Sequence, residues 1–432
     1  MTIPRALLAT GLTLFAWVPA LAQTQQPSRP ERPYRGIFAS GMDDSGQSLT
    51  ANASLSGGYD DNVLAQATNS NSTQQGQAGM FGQFSGGLNY SLNASRGSLN
   101  ATAGTSQRYY PSLQNDLLEN YNASIGGSLL VTTKPAITVF QSAGYQPYTF
   151  LSAFPMTTEP IIGASEITDP DVVPLAEQYL FYTGGVTLSH RLSQRTTFES
   201  GWNYHATDQQ SNQWWQQTAD AGFSIGLNRD LSLRLGYAYT EAHYEDRLTK
   251  VHRPQIGLDF LRALSLTRRT TLAFGMGTEA TVQNDTTKLH ASGNATLRHE
   301  MGRSWMAAAA YQRGTYFVDT FQEPVMGDSW SLNLGGLITR RLQLQAVASG
   351  SLGRLTYTSR NFDSYRGTVT LSTALTRFMN VGVDYAYYSY EFDDPAGLEP
   401  GVSQDVIRQS IRARVSFWAP LFHKSRRANA AR

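Results

Sequence analysis

Apolar and polar residues alternate along most of the chain, from about Leu49 to Trp418. In the segment DLSLRLGYAYTEA, every second residue from Leu231 to Tyr239 is Leu or Tyr, and the residues between them are polar or small. A period of two is typical of a β-strand with two different faces. The last segment, VIRQSIRARVSFW, repeats the pattern with arginine and serine opposite Ile, Ala, Val and Phe. The sequence therefore predicts a chain made mainly of β-strands.

The spacing and the connections of these segments indicate how the strands are arranged. About 18 segments follow one another every 20 residues or so, which matches one membrane-crossing strand plus a connection. A count of about 16 stays open, because the segments near 141 and 257 alternate poorly. Short turns such as SQRT, NRD and TRRT alternate with longer polar loops. Short periplasmic turns and long external loops are typical of outer-membrane barrels.

Two soluble β-folds are less compatible with this pattern. A β-helix would need a recurring motif, and none recurs; a β-sandwich usually has strands of about 5–6 residues, half the length seen here. The predicted fold class is therefore all-β: a transmembrane, antiparallel, up-and-down β-barrel of about 18 strands.

The first residues have the features of an export signal. Arg5 precedes the apolar run from Ala6 to Val18, and Ala20-Leu21-Ala22 is a small-x-small cleavage site. We expect a signal peptide over 1–22, cleaved after Ala22, and a flexible periplasmic lead-in over 23–48, rich in Pro, Gln and Arg. The barrel is expected over 49–422 and a periplasmic tail over 423–432. The expected location is the bacterial outer membrane.

Composition excludes several kinds of site. Charged residues make up 16 % of the chain, against about 25 % in a usual soluble domain. The chain has no Cys, so disulfides, thiolate nucleophiles and Cys-ligated metals are excluded. The formal net charge of +1 argues against a nucleic-acid partner. Outer-membrane lipid and the barrel assembly machinery are the expected partners, and no metal or other cofactor is expected.

The polar face of each strand should line the lumen, and its charges fall into two groups. The expected basic pore-lining residues are Arg108, Lys288, Arg298, Arg366, Arg408, Arg412 and Arg414. The expected acidic ones are Glu199, Asp220, Asp259 and Glu279. Arg234 and Asp384 are exceptions within the acidic and the basic group. Such an arrangement predicts either a selectivity field across a pore or charges that only keep a wide lumen wet.

The longest external connection, 146–178, is acidic. It contains Glu159, Glu166, Asp169 and Asp171 and has no Lys or Arg. Structureless loops longer than about 15 residues are usually functional or disordered. The loop is a candidate constriction that faces the arginines of the last strand; a lid on the surface is the alternative.

Polar stretches near the strand ends leave other functions open. Asp60, Asp61 and Asn62, in GGYDDNVLAQATNSNS, are interpreted as residues where the first strand leaves the membrane, with a loop calcium site as the alternative. His205 with Asp208, and His243 with Glu245 and Asp246, could form a hydrolase pair near the barrel rim. Neither a GxSxG elbow nor an HExxH motif is present, so an enzyme is not expected.

Two segments resemble known families. SLSGGYDDNV, in which Tyr-Asp-x-Asn ends the first strand, resembles the opening of the β-barrel porin-2 family; the barrels of surface-lipoprotein assembly modulators open in a similar way. RVSFWAPLF resembles the C-terminal aromatic signal of outer-membrane proteins, although HKSRRANAAR follows it. The resemblance implies an outer-membrane pore or export conduit for small hydrophilic solutes or polysaccharide, with polysaccharide export proteins as partners. A surface-structural or adhesion barrel with a plugged lumen is the alternative, and an outer-membrane hydrolase is the third.

Overall fold

Eighteen antiparallel strands account for nearly all of the residues that the structure describes. The computed structural model describes residues 45–63, 78–112, 117–131, 135–147, 178–208, 213–244, 247–263, 269–283, 286–302, 304–317, 324–356, 360–393 and 404–425. The strands are β1 (Ser45–Asp60), β2 (Gly79–Asn93), β3 (Gly97–Tyr109), β4 (Leu117–Leu130), β5 (Pro135–Pro147), β6 (Gln178–Arg191), β7 (Thr196–Asp208), β8 (Gln213–Gly226), β9 (Leu231–Tyr244), β10 (Arg247–Ala263), β11 (Thr270–Gln283), β12 (Thr286–Met301), β13 (Trp305–Tyr316), β14 (Val325–Leu337), β15 (Leu342–Leu355), β16 (Asn361–Ala374), β17 (Met379–Phe392) and β18 (Asp405–Ser425). Within these ranges, no helix is long and apolar enough to cross a membrane.

Each strand pairs with its neighbours in sequence, and β1 pairs with β18, so the sheet closes on itself. The predicted all-β, up-and-down barrel is confirmed, and the strand count is 18. The two poorly alternating segments near 141 and 257 are β5 and β10. β1 begins at Ser45 and β18 ends at Ser425, a few residues beyond the expected bounds of 49 and 422. The predicted signal peptide and the acidic residues of the candidate constriction loop lie outside the described residues.

Side-chain alternation separates an outer from an inner face on every strand. In β18, Ile407, Ile411 and Phe417 are 38–52 % exposed, whereas Arg408 and Arg412, at the alternate positions, are 3 % and 5 % exposed. The exposed series is apolar and the covered series is polar, which is the reverse of a water-soluble sheet protein. Apolar side chains therefore point outwards and polar side chains point inwards.

Short polar side chains shape four of the tight turns at one end of the barrel. Ser193 Oγ accepts hydrogen bonds from the backbone N–H groups of Arg195 and Thr196, at 3.1 and 3.0 Å. Asn228, Thr339 and Thr376 accept equivalent bonds in the turns after β8, β14 and β16. Such bonds replace backbone partners that a reversing chain loses. The turns therefore hold their neighbouring strands in register.

The seam between β1 and β18 is fastened by a buried ion pair. Asp60, at the end of β1, is fully buried, and Arg408 is 3 % exposed. Arg408 Nε lies 3.1 and 3.0 Å from the two carboxylate oxygens of Asp60, and Nη2 lies 2.5 Å from Oδ2. Charge-assisted bonds of this two-pronged kind are among the strongest in proteins. Asp60 is therefore part of the wall's inner packing.

The next two residues continue the seam beyond the last strand pair. Asp61 N donates to Gln409 O at 3.0 Å, and Asp61 Oδ1 accepts from Gln409 N at 2.6 Å. Asn62 N donates to Asp60 Oδ1 at 3.1 Å, and Asn62 Nδ2 donates to Ile407 O at 3.2 Å. Asp60 is the last residue of β1, as the interpretation of a strand-exit residue predicts. Its carboxylate is not left to solvent, however, because it is engaged with β18, as are the side chains of its two neighbours. The Tyr-Asp-x-Asn stretch closes the barrel.

Replacing Asp60 by Ala should destabilise the folded barrel by about 3–5 kcal/mol, because the variant leaves the buried Arg408 without its carboxylate. The midpoint of urea unfolding in phospholipid vesicles measures the change. Asp328→Ala is the control: its partner Arg313 is 47 % exposed, and an exposed pair contributes about 0–1 kcal/mol. If both variants shifted the unfolding midpoint equally, the buried Asp60–Arg408 pair would contribute no more to stability than an exposed pair.

Candidate functional site: the lumen of the barrel

The outer wall carries a continuous apolar surface. Leu55, Met80, Ile256 and Leu289 are 63–78 % exposed, and other large apolar side chains cover the outward positions of the remaining strands. A monomeric soluble protein seldom exposes an apolar patch larger than a few hundred Å². Here the apolar surface surrounds a barrel whose backbone polar groups are paired from strand to strand, which is what a lipid bilayer requires.

Aromatic rings border this apolar band. Near the long-loop end, Trp202, Tyr204, Trp215 and His243 stack in a row, with ring centroids 5.6–6.4 Å apart. Closer to the short-turn end, the outward pairs Phe198–Phe223 and Phe260–Phe274 lie 5.2 and 5.3 Å apart. Two aromatic girdles around an apolar band are typical of barrels that span an outer membrane. The chain is a bacterial outer-membrane β-barrel.

All the predicted lumen charges lie at inward positions of this outer-membrane barrel, but their surroundings differ. Arg408, Arg412, Arg414 and Arg108 are 2–8 % exposed. Lys288, Arg298 and Arg366 lie on β12 and β16 and are half-buried. Lys288 Nζ donates to the backbone oxygen of Thr356. The seven cations therefore do not form one continuous group, and their pore-lining role stays a prediction.

The arginines near the seam are engaged with carboxylates and amides. Asp384 Oδ2 lies 3.0 Å from Arg412 Nη2 and 3.5 Å from Arg414 Nε, and Asp384 Oδ1 accepts from Thr370 Oγ1 at 2.8 Å. Arg108 Nη2 donates to Gln83 Oε1 at 2.9 Å. Arg412 reaches the same amide oxygen from the other side of β1, at 3.5 Å. These buried side chains form a packed polar wall.

Arg108 is also held by aromatic rings. Its guanidinium lies 4.7 Å from the centroid of Phe81, and Nη1 donates to Tyr110 Oη at 3.2 Å. A cation above a ring face gains additional stabilisation when water is excluded. The seam side of the lumen is therefore rigid and holds few water-exposed charges.

The predicted acidic residues lie on the opposite arc and are more accessible. Asp259 forms an ion pair with Arg234 at 2.7 Å, with side chains 22 % and 26 % exposed. Glu199 and Asp220 lie on the neighbouring strands β7 and β8 and are half-buried. Glu279 differs: it is 9 % exposed, and its Oε2 accepts from the backbone N–H of Thr315 at 3.0 Å. Three of the four acids therefore line the wetter side, and Glu279 has a structural partner.

Glycines let some of these side chains lie flat against the wall. Asp220 faces Gly201 directly across the ladder, and a Cβ at Gly201 would lie 2.7 Å from Asp220 Oδ1. Asp259 and Gly275 repeat the arrangement at the same 2.7 Å. Any larger residue at either glycine would push the carboxylate towards the lumen axis. The glycines thus keep the middle of the lumen open.

The end of the barrel that carries the long loops is narrowed by apolar side chains, which the sequence did not predict. A buried cluster at the ends of β1–β4 comprises Val63, Phe81, Tyr110 and Leu118. Phe362 and Phe392 lie 6.0 Å apart on β16 and β17, and Tyr390 lies 5.8 Å from Phe392. On these strands the inner wall is apolar and close-packed near the external end.

A further contact spans the external mouth. Phe317, just after β13, packs against Trp214 and Ala242 on the inner faces of β8 and β9, although β10, β11 and β12 separate β9 from β13 along the wall. Trp214 is 3 % exposed and points inwards, so it does not belong to the aromatic girdle of the outer surface. Alternation along β8 could have predicted this orientation. Phe223, at an odd position, faces outwards, so even positions such as Trp214 face inwards.

The inner wall of β1–β4 is more open than that of β14–β17. Asn52, Asn89, Asn100, Thr102 and Asn122 occupy inward positions of β1–β4 and are exposed. The inward positions of β14–β17, by contrast, are nearly all buried, including Ser331, Ser351 and Ser364. The lumen is therefore asymmetric: it is accessible beside β1–β4 and close-packed beside β14–β17.

The two candidate histidines for a hydrolase pair lie on different faces of the barrel wall. His205 points inwards, where Nδ1 lies 3.0 Å from Thr183 Oγ1, whereas Asp208 is on the opposite face by parity. His243 stacks on Trp215 at the outer surface, and Glu245 and Asp246 lie outside the described residues. Within the described part of the chain, no group of three or more His, Asp or Glu side chains could hold a metal ion.

Several solved outer-membrane proteins are similar in overall fold. Pseudomonas aeruginosa OccK2 (OpdF) is 11 % identical, with a TM-score of 0.45 over 87 % of this chain and 98 % of that chain. OccK7 (OpdD) from the same organism is also 11 % identical, with a TM-score of 0.45 over 88 % and 100 %. The P. aeruginosa siderophore receptor PirA is 10 % identical, with a TM-score of 0.41 over 88 % and 82 %. Likenesses this distant do not bear on substrate or mechanism.

No protein-family model matches the sequence, and a search of curated proteins finds no match.

Replacing Asp384 by Ala should destabilise the barrel by about 3–5 kcal/mol, because Arg412 and Arg414 then face each other in a buried wall without that carboxylate. Asp259→Ala removes the same side chain from a partly solvated ion pair and should cost about 0–1 kcal/mol. Unfolding midpoints of the two variants in phospholipid vesicles test the difference. If Asp259→Ala lowered the stability more than Asp384→Ala does, the distinction between a close-packed seam side and a partly hydrated opposite side of the lumen would be wrong.

Proposed function

We propose that the barrel is a pore for small hydrophilic solutes that opens as a vestibule on the periplasmic side and is narrow on the external side. The observation that carries the proposal is the asymmetry of the inner wall. Asn89, Asn100 and Thr102 are exposed near the short turn between β2 and β3, whereas apolar side chains such as Phe81 and Trp214 pack in the external half. A narrow polar route through a rigid wall favours small solutes over large ones.

The wetter arc of the lumen would determine which solutes pass. Glu199 and Asp220 are half-buried and lie beside the Arg234–Asp259 pair. Arg412 and Arg414 are buried and contact Asp384. Fixed charges act most strongly on ions that approach them closely. We therefore assign the larger part of ion selectivity to the carboxylates of β7, β8 and β10 rather than to the arginines of β18.

A closed surface barrel is the second candidate, favoured by the packed external end. The contact of Phe317 with Trp214 and Ala242 crosses the mouth, and Val251, Thr240 and Thr249 on neighbouring strands are fully buried. Export of polysaccharide, insertion by the barrel assembly machinery and signal-peptide cleavage after Ala22 remain proposals that rest on the sequence.

Replacing Trp214 by Ala should raise single-channel conductance by a factor of about two or more, because the variant removes a ring from the narrow external half. The measurement is current across a planar bilayer that contains the purified, folded barrel. Trp202→Ala is the control: Trp202 is 43 % exposed on the outer wall, so its loss should leave conductance unchanged. No current from the wild type and the Trp214 variant alike would favour the closed surface barrel.

The double change Glu199→Gln and Asp220→Asn should shift the reversal potential in a salt gradient towards anion preference, because it removes two negative charges from the accessible wall. Arg412→Gln should shift the potential much less, since Arg412 is 5 % exposed and faces Asp384. Glu391→Gln is the control, because it removes a negative charge from the outer face of β17 and should leave the reversal potential unchanged. A dominant effect of Arg412→Gln would instead support the predicted arginine field.

A further inference from the structure

The wall between β12 and β13 is incomplete near the external end. Their pairing runs from Met301–Trp305 to Gly293–Arg313 and stops there. Leu289 to Ser292 of β12 still pair with β11. They have no partner among Gly314 to Phe317, the described residues opposite them on the β13 side. A strand edge without a neighbour leaves its backbone N–H and C=O groups open to another partner.

The end of β13 leans into the lumen beside this gap. The backbone N–H of Thr315 donates to Glu279 Oε2 at 3.0 Å, and Glu279 belongs to β11, on the far side of β12. Two residues later, Phe317 packs on Trp214 and Ala242 across the mouth. Both contacts pull β13 away from the plane that would continue the β12 ladder.

A cavity of about 610 Å³ occupies the region of the gap. It is lined by Lys288 and His290, which occupy inward positions of β12, and by Arg313 and Arg354, which occupy outward positions of β13 and β15. Because both inward-facing and outward-facing residues line it, the cavity passes through the plane of the wall. Met326, Leu352 and Phe362 add apolar surface.

We propose that this cavity is a lateral opening between the lumen and the outer leaflet, and that it binds a single-chain amphiphile with an anionic head. A binding site of a few hundred Å³ with mixed polar and apolar walls is suited to a small ligand. The apolar tail would lie along the lipid-exposed surface at Leu352, which is 46 % exposed. The head would lie between the two faces of the wall.

The cavity is lined by three basic side chains and three acids, and their distribution favours an anionic head beside the gap. The strands that border the gap, β12 and β13, contribute Lys288 and Arg313, whereas the acids lie on β14, on β16 and just after β17. Lys288 and His290 border it from the inner side and Arg313 borders it from the outer side. The acid nearest to Arg313 is Asp328, which already accepts from Tyr311 Oη at 2.5 Å and from Arg313 at 3.2 Å. Asp363 and Asp393 lie on β16 and at the end of β17, at the far side of the cavity. Basic pockets at a membrane surface are suited to anionic head groups.

Site-specific fluorescence quenching tests the opening, and the absence of Cys from the chain gives each introduced thiol a unique label. Ser292→Cys places a bimane label on the inner face of β12 at a residue that pairs with β11 but not with β13. Thr296→Cys places it on the inner face of the same strand where β12 pairs with β13. 2-Bromododecanoate, whose bromine is next to the carboxylate, is added to the barrel in phospholipid vesicles and should quench the label at 292 more strongly than the label at 296.

Recognition of the head is tested in the same system. Adding Lys288→Gln and Arg354→Gln to the Ser292→Cys barrel should weaken the apparent affinity for bromododecanoate about tenfold, the equivalent of about 1.4 kcal/mol. Uncharged bromododecanol should quench position 292 less than the acid does. Equal quenching at 292 and 296, or no quenching at either position in barrels shown to be folded, would overturn the lateral opening. Equal potency of the acid and the alcohol would overturn the anionic head.

The result is separable from the proposed pore, because the opening and the vestibule use different residues. Conductance of the Arg354→Gln barrel should equal that of the wild type, because Arg354 occupies an outward position of β15 and solutes follow the axial route. If the barrel conducts but the label at 292 is not preferentially quenched, the proposed pore stands and the lateral site is wrong. If the label at 292 is preferentially quenched but the barrel does not conduct, the lateral site stands and the pore is wrong.

Discussion

Backbone hydrogen bonding between the first and last strands is the constraint on which the rest of this structure depends. A sheet in a bilayer has no water to satisfy its edges, so the only stable sheet is one without edges. β1 and β18 meet over nearly the whole length of β1, from Ser45–Ser425 to Asp60–Ser410. Closure then divides each strand into a face that meets lipid and a face that meets the lumen. Inner and outer chemistry follow from that division.

The inner face is not uniform, because holding β1 against β18 requires close-packed side chains, whereas a water-filled lumen requires exposed polar ones. Near the seam, Asp60, Asp384 and the neighbouring arginines form compact ion pairs with little exposed surface. Removing any one of these groups leaves a buried charge, so the arrangement tolerates change poorly. On β7–β10 the charges remain partly hydrated, and glycines such as Gly201 hold them flat. One side of the barrel therefore supplies rigidity and the other leaves room for water.

The sequence could predict the features that repeat with period two. Alternation located β1 to β18, and it assigned Arg408 and Asp220 to the inner face, where the structure has them. It could not predict the partner of Asp60, because Arg408 lies 348 residues away and only barrel closure brings them together. Phe317 and Trp214 were hidden for a similar reason: their contact depends on how far β13 leans inwards. Local pattern determines the face of a side chain, whereas the curvature of the whole wall determines its neighbours.

Asp60 lies on the first strand and Arg408 on the last, so their ion pair can form only after both strands have been synthesised. The carboxylate emerges with the first strand and the guanidinium with the last, so no shortened chain that lacks β18 can neutralise Asp60 in this way. Such a fragment would carry an isolated acid at the edge of an open sheet, which is costly in a bilayer. The ion pair thus forms only when β1 and β18 are both present, and it disfavours membrane insertion of fragments whose sheet is open.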